Sequence, residues 1–478
     1  MADIAHVVVL MLENRSFDSM LGRLYPASAA FDGLTGAEAN TWNGQSFPVW
    51  TSPSMTPQAA CIPTPDPNEE FVEMTEQIFG MGLGPPSPPT MAGFVANYMK
   101  TATNNPAAVM HGFTPEQVPV LSTLAREFGV SDRWHASAPN QTWPNRFFAH
   151  TGTAGGYVNN SPWQLPFGMP TVFNQLTQAQ RSWRIYYHDV PQCATLSRLW
   201  SELPDHLYDF ERNFMADAMA GTLPNYSFIE PRYFSSLFDN RMPNDQHPPH
   251  NVAFGERLIA RCYDALRNGK GWEQTLFIIT YDEHGGIYDH VPPPAAAPPG
   301  GPYPDGFTFD RYGVRVPAVL VSPWIPAGSI VRPPAGAAYP FDHTTIIATL
   351  RKLFGLGKPL TDRDKAAPDL LHALSLPTAS NIGPMSLSLP TISPAPSEIA
   401  AAHQAPPNDL QQSLAVLAGS LPGGSANAPG HVALLQQTRT KLRRQKGQPA
   451  IAGPAFASVE DALKHAEAGM ARFLGPRA

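Results

Sequence analysis

The chain has 478 residues, a net charge of −7, 15% charged residues and 53 prolines. That length allows one large domain or two ordinary ones, with a sizeable core. The charge balance excludes a nucleic-acid binder relying on a broad basic face. Three cysteines, Cys61, Cys193 and Cys262, lack metal-site spacing and cannot form an even disulfide set. The opening MADIAHVVVLMLEN has no basic n-region, so no secretory signal is expected. No stretch is long and apolar enough to span a bilayer. The expected location is the cytoplasm, or outside the cell by a route this sequence does not reveal.

Residues 7–12 are a continuous apolar run, as in a strand buried on both faces of a parallel sheet. The run ends in Glu13 and Asn14, followed by Arg15, Ser16, Phe17 and Asp18. A buried glutamate without a partner is costly, so Glu13 calls for an ion pair, hydrogen bonds or a metal. Residues 32–89 are rich in Pro, Thr, Ser and Gly and read as excursions over the surface, with a short helix over 69–79. A helix is expected over 115–128, with Thr114 as N-cap and Pro115 at its first position. A strand follows near Val130. In SAPNQTWPNRFFAHTGT (137–153), Thr142 precedes Pro144, Asn145 and Arg146 where a helix begins. A hydroxyl at a helix N-terminus beside an arginine is placed to receive a phosphate, the alternative being a plain capping threonine.

Strands are expected over 182–187 and 225–229, with a helical, partly acidic stretch between them. NDQHPPHN (244–251) gathers Asp245, His247 and His250 within six residues, which reads as a catalytic loop. An amphipathic helix over 252–266 carries Leu258, Ile259, Cys262 and Leu266 on one face. It leads into LFIITYDEHGGIYDHVPPP (276–294). Here a second apolar strand, 276–279, is followed by Asp282, Glu283, His284, Asp289 and His290, which all sit within nine residues of one another. In open α/β sheets, ligands bind past the carboxyl ends of the strands. Two such ends carrying Glu-Asn and Asp-Glu could form an oxygen cage for a hard divalent cation. A strand over 318–321 and a helix over 341–356 follow. Alternation of strands and helices predicts an α/β fold with a central, largely parallel sheet. Residues 1–383 are assigned to this domain. A Pro/Ala/Ser-rich linker is expected over 384–409 and a helical region over 410–478, with helices at 410–417, 431–444 and from Ser458. The basic run Lys441, Arg443, Arg444 and Lys446 reads as a solvated helix end, with peripheral membrane contact as the minority reading.

Six motifs stand in order: ENRSFD (13–18), GFTPEQVPVL (112–121), TWPNR (142–146), NDQHPPH (244–250), DEHGGIYDHVPPP (282–294) and GVRVPAVLVSPWI (313–325). With them the chain resembles the phosphoesterase family of non-specific phospholipases C and related acid phosphatases, and the plant-type phospholipases C most. The resemblance runs through most of residues 4–375. It implies an alkaline-phosphatase-like α/β sandwich and one divalent metal ion (Ca²⁺, Mg²⁺, Mn²⁺ or Zn²⁺) held by Glu13, Asn14, Thr142, Asp282 and Glu283. It further implies Thr142 as nucleophile, with His247, Asp289 and His290 close to the phosphate. Asn145, Arg146, His250 and Glu69 complete the expected substrate contacts. There is one departure. Where the family commonly has Asp-Pro-Gly-His, this chain has Asp66, Pro67, Asn68 and Glu69. A carboxylate facing a phosphate repels it unless protonated or on a cation, so Glu69 suits a second cation or a cationic head group. The expected substrate is a phospholipid or a small phosphoester. Three functions remain open: a phospholipase C, a phosphomonoesterase with the same core, and a weakened lipid- or phosphate-binding homologue. The motifs do not report the oligomeric state.

Overall fold

Strand-forming residues with both faces apolar need cover on both sides, and the chain supplies it with helices. The computed structural model describes residues 2–237, 240–391, 394–423 and 456–475. Its strands are β1 (His6–Leu12), β2 (Ala39–Trp42), β3 (Gln45–Pro48), β4 (Gly129–Ser131), β5 (Trp183–Tyr187), β6 (Leu207–Asp209), β7 (Tyr226–Glu230), β8 (Thr275–Tyr281), β9 (Ala318–Val321) and β10 (Ser329–Ile330). Eight of them form one sheet in the order β10-β4-β9-β8-β1-β7-β5-β6, and β2 with β3 makes a separate hairpin. β1 lies between β7 and β8 and runs parallel to both. Only β9 runs against its neighbours, β4 and β8. The expected α/β fold with a central, largely parallel sheet is therefore the observed one.

Val7 to Leu12 and the whole of β8 are fully buried. Truncating an aliphatic residue there, such as Leu10→Ala, costs about 2–5 kcal/mol. The β1–β8 register sets Leu12 opposite Tyr281, so Glu13 and Asp282 emerge side by side at the carboxyl edge. The register of β7 brings Glu230 to the same edge.

The expected helix over 115–128 starts later, at Pro119–Glu127. Val118 precedes a proline and takes φ −121°, ψ 63°, outside the α region that a following proline ring disfavours. Thr114 and Gln117 instead close a turn, with the Gln117 side-chain oxygen accepting the Thr114 N–H at 2.9 Å. The hairpin β2–β3 was not expected, although its Asn43-Gly44 turn, at φ 50° and 76°, has the residues of a two-residue hairpin loop.

The segment 384–409, read as a linker, carries a helix, Pro396–Gln404, with Ile399 and His403 buried. Proline at its first turn and the Glu398 carboxylate accepting the Ala395 N–H account for its start. Helices Asp409–Ser420 and Val459–Leu474 bury Leu410, Leu414, Leu417, Ala462, Met470 and Phe473 in the same core as the sheet. The helix expected over 431–444 and the basic run Lys441, Arg443, Arg444 and Lys446 lie outside the described residues. Among the described residues, no helix is long and apolar enough to cross a membrane. The three cysteines are free thiols.

Candidate active site

Thr142 opens the helix Thr142–Thr151, whose N-terminus faces the carboxyl edge of β1 and β8. Its hydroxyl donates to Glu13 Oε2 at 3.2 Å and lies 3.5 Å from Asn14 Oδ1. Asn145, one turn on, holds this geometry. Its amide donates to the carbonyls of Ala138 (3.1 Å), Asn140 (2.6 Å) and Gln141 (3.3 Å), and its oxygen accepts the Ala138 N–H. It secures the loop that delivers Thr142.

Arg146 sits one further position along the helix and is buried. It donates to Glu13 Oε1 at 2.5 Å, to Glu230 Oε2 at 3.0 Å and to the Met11 carbonyl at 2.8 Å. Two of its nitrogens are thus spent on the strand ends; Nε has no hydrogen-bond partner and lies 4.0 Å from Asp282 Oδ2. Gln192 Nε2 adds a bond to Glu13 Oε1 at 2.8 Å. Glu230 and Gln192 were not anticipated. For Glu230 a signal existed: YSFIE ends an apolar strand in a glutamate, as VLMLE does.

Asp282 Oδ1 accepts the backbone N–H groups of Asn14 (2.9 Å) and Glu283 (2.7 Å), leaving Oδ2 without a partner. Glu283 Oε2 accepts the Gly285 N–H at 2.6 Å, leaving Oε1 without a partner. Both residues are fully buried. Buried carboxylate oxygens are normally satisfied, so two unpartnered ones on consecutive residues fit a cation. Burial, followed by crowding among the acids, drives Glu283 and Glu69 well above the ordinary carboxylate range. Burial raises Glu13 likewise, against the Arg146 charge. A bound divalent cation would remove that penalty. Asn14 adopts φ 54°, and a Cβ on Gly285 would come within 2.4 Å of the Asn14 carbonyl. The glycine is required for the two strand ends to approach.

The Asn14 side chain joins the two halves of the site. Its oxygen faces Thr142, while its amide donates to Glu69 and lies 3.1 Å from His247 Nε2. His247 Nδ1 lies 2.6 Å from the Pro248 carbonyl, which makes Nδ1 the protonated nitrogen and Nε2 the acceptor. Burial lowers the imidazole to about 4 despite nearby Asp245. Asp66, Glu69 and His247 offer ligand atoms within 4.8 Å of one another. His250 stands one step further out, its Nδ1 2.7 Å from Asp245 Oδ1. Asp245 accepts the Glu13 N–H through its backbone carbonyl. His343, also not anticipated, accepts the Trp134 indole N–H at Nδ1 and supports the Asp282 carbonyl through Nε2 at 2.6 Å.

Asp289 and His290 form a different cluster. Arg315 bonds Asp289 at 2.9 Å and Asp18 at 3.0 Å, and His290 Nδ1 lies 2.7 Å from Asp18 and Nε2 3.2 Å from Asp32. Among the described residues, no hydrogen bond or ion pair links Asp289 or His290 to Thr142, Glu13, Asn14, Asp282 or Glu283. Gly285 and Gly286, at φ 61° and 64°, reverse the chain, and Ser16 then holds the Tyr288 carbonyl at 2.7 Å. The acids beyond that turn therefore brace the 16–18 loop from behind. His284 is likewise turned away, onto Gln77 at 2.8 Å.

A model of the Phosphoesterase family matches residues 4–357. The chain is 40% identical over 386 residues to non-specific phospholipase C3 of Arabidopsis thaliana, covering 76% of this chain and 72% of that protein. It is 42% identical over 371 residues to non-specific phospholipase C1 of the same plant, covering 75% and 68%. Among solved structures, a protein in the alkaline phosphatase superfamily from Vibrio parahaemolyticus aligns at a TM-score of 0.34 and 13% identity, covering 53% of this chain and 63% of that one.

Proposed function

The chain belongs to the phosphoesterase family, and on that premise we propose that it is a metal-dependent phospholipase C releasing diacylglycerol and a phosphorylated head group through a phosphothreonine intermediate. The observation that carries this reading is the Thr142 hydroxyl, set at a helix N-terminus and hydrogen-bonded to Glu13 at 3.2 Å. Glu13, Asn14, Thr142, Asp282 and Glu283 would hold the cation, and the unpartnered oxygens of Asp282 and Glu283 support that assignment. Such an ion supplies a lowered hydroxyl pKa and neutralises charge on phosphoryl oxygens.

The chain's own groups do the rest. Glu13 Oε2 receives the Thr142 hydroxyl proton along the existing bond, and Thr142 Oγ1 forms the new bond to phosphorus. The helix N-terminus at Thr142 favours the added negative charge. Arg146, held by Glu230, keeps Glu13 in place rather than binding substrate. His247 lies across Asn14 from the nucleophile, and an in-line leaving group would depart on that side. A phosphate anion arriving beside it raises its pKa so that it takes up a proton from solvent, and the imidazolium then gives that proton to the departing glycerol oxygen. In the second half-reaction the neutral Nε2 takes a proton from the attacking water, the new phosphorus–oxygen bond forms as the Thr142 Oγ1–phosphorus bond breaks, and Glu13 returns its proton to the Thr142 oxygen.

The test is product analysis. Metal-loaded protein is given phosphatidylcholine micelles and, separately, an aryl phosphomonoester. Phosphocholine with diacylglycerol is expected from the first. Inorganic phosphate from the monoester alone would replace this reading with a phosphomonoesterase.

A further inference from the structure

On the His250 side of the site, the C-terminal helices and the 52–64 loop line a cavity of about 890 Å³. Its walls are largely apolar, including Ile62, Met242, Pro249, Phe254, Ala402 and Pro406. The roof is fastened rather than loose: Gln411 donates to the Tyr233 carbonyl at 2.7 Å, and His403 lies 3.2 Å from the Ser235 carbonyl. The cavity opens to solvent on one side, and a cleft in this volume range with largely apolar walls and a few polar groups suits a ligand. None of the chemistry above uses it.

Its position relates it to the reaction. His250 lies in its wall, with its ring 5.9 Å from that of His247. Ile62 and Thr64, also in the wall, lead directly to Asp66 and Glu69. Asn14 lies between Thr142 and His247: its oxygen is 3.5 Å from Thr142 Oγ1 and its amide nitrogen 3.1 Å from His247 Nε2. In-line displacement sends the leaving group away from the nucleophile, hence toward His247, His250 and the cavity behind them. In a phospholipase C the leaving group is the part of the lipid that carries the fatty chains. A phosphomonoesterase of small substrates has no use for an apolar chamber there.

We infer that this cavity receives the acyl chains of the departing diacylglycerol, so that the C-terminal helices, together with the 52–64 loop, set the enzyme's chain preference. The inference rests on the phospholipase C reading and adds the site that selects the lipid tail. The probes are monomeric dibutanoyl-, dihexanoyl- and diheptanoyl-phosphatidylcholine, and the acyl-free ester p-nitrophenyl phosphocholine. With the full-length, metal-loaded protein, kcat/KM rises with chain length, by up to about fourfold for each methylene that becomes fully buried. Ala402→Trp, which fills the chamber, flattens that rise while leaving turnover of p-nitrophenyl phosphocholine within about twofold of wild type. Phe254→Ala enlarges the chamber and shifts preference toward the longer chains, which keeps the test open if the tryptophan variant does not fold. A flat chain-length dependence in the wild type, or one unchanged in both variants while phosphocholine is still released, overturns the cavity assignment alone. No phosphocholine from any of the four esters overturns the phospholipase C reading and the cavity assignment with it.

Discussion

Asp282→Asn separates the cation from the scaffold that would hold it. Asp282 Oδ1 accepts two backbone N–H groups, at 2.9 and 2.7 Å, and an amide oxygen preserves both. The atom that changes is Oδ2, which has no hydrogen-bond partner. In EDTA the variant should therefore stay within about 1.5 kcal/mol of wild type, the size of one ordinary hydrogen bond. With a divalent cation the two should part. A cation at 100 times its Kd stabilises the wild type by about 2.7 kcal/mol. Losing the carboxylate should weaken binding by at least about 100-fold, the upper end of what outer-sphere partners cost. At the same cation concentration the stabilisation then falls to about 0.4 kcal/mol. Urea unfolding followed by tryptophan fluorescence measures both states, with Ca²⁺, Mg²⁺, Mn²⁺ and Zn²⁺ tried in turn and metal content determined after desalting. An equal cation-dependent gain in the two proteins would refute Asp282 as a ligand. A loss of several kcal/mol in EDTA would make its carboxylate structural instead.

Thr142→Ala should lower kcat at least ~10³-fold while unfolding in EDTA stays near wild type, whereas Thr142→Ser should retain substantial turnover; comparable activity in the alanine variant removes Thr142 as nucleophile. Arg146→Met leaves Glu13 and Glu230 without their buried cation and should cost about 3–5 kcal/mol in the metal-free protein, read by urea unfolding. Glu69→Gln keeps an acceptor for the Asn14 amide and removes a charge 3.8 Å from His247. Because burial and neighbouring acids hold Glu69 above the carboxylate range, its ionisation should limit the wild type as pH rises. The glutamine variant should then be faster near neutral pH with a flatter profile, and a large loss of kcat/KM would give Glu69 a role of its own. At His290, burial opposes the charge, but the Asp18 hydrogen bond and charge outweigh it and raise the group from 6.5 to about 9. A raised pKa means stabilisation that is complete below about pH 6.5 and lost as pH rises through about 9. Thermal melts of His290→Gln should trail wild type at pH 6 and converge with it near pH 10; a constant gap would deny the ion pair with Asp18.

Much of this architecture can be read from local pattern alone. The apolar runs ending in Glu13-Asn14 and Asp282-Glu283 announce buried parallel strands with ligand-type residues at their carboxyl ends, because alternation is lost when both faces are covered and polar groups then belong at the edge. The helix at Thr142 and its hydroxyl follow from TWPNR in the same way. What local pattern could not supply was adjacency. Only the register of Leu12 against Tyr281 makes Glu13 and Asp282 neighbours, and only the packing of the Thr142–Thr151 helix on that edge commits two nitrogens of Arg146 to Glu13 and Glu230. Asp289 and His290 stand a few residues from Asp282 in the chain yet lie in another cluster, since two glycines at positive φ decide the direction in which the chain leaves the strand. The tail makes the same point. The 384–409 segment has the composition of a linker, but it carries a helix in which Ile399 and His403 are buried, and Leu410 and Leu414 of the next helix join the core of the sheet. Composition reports what a segment can do alone; burial against distant residues is a property of the folded whole, and it is that burial which brings the C-terminal helices to the wall of the cavity beside His250.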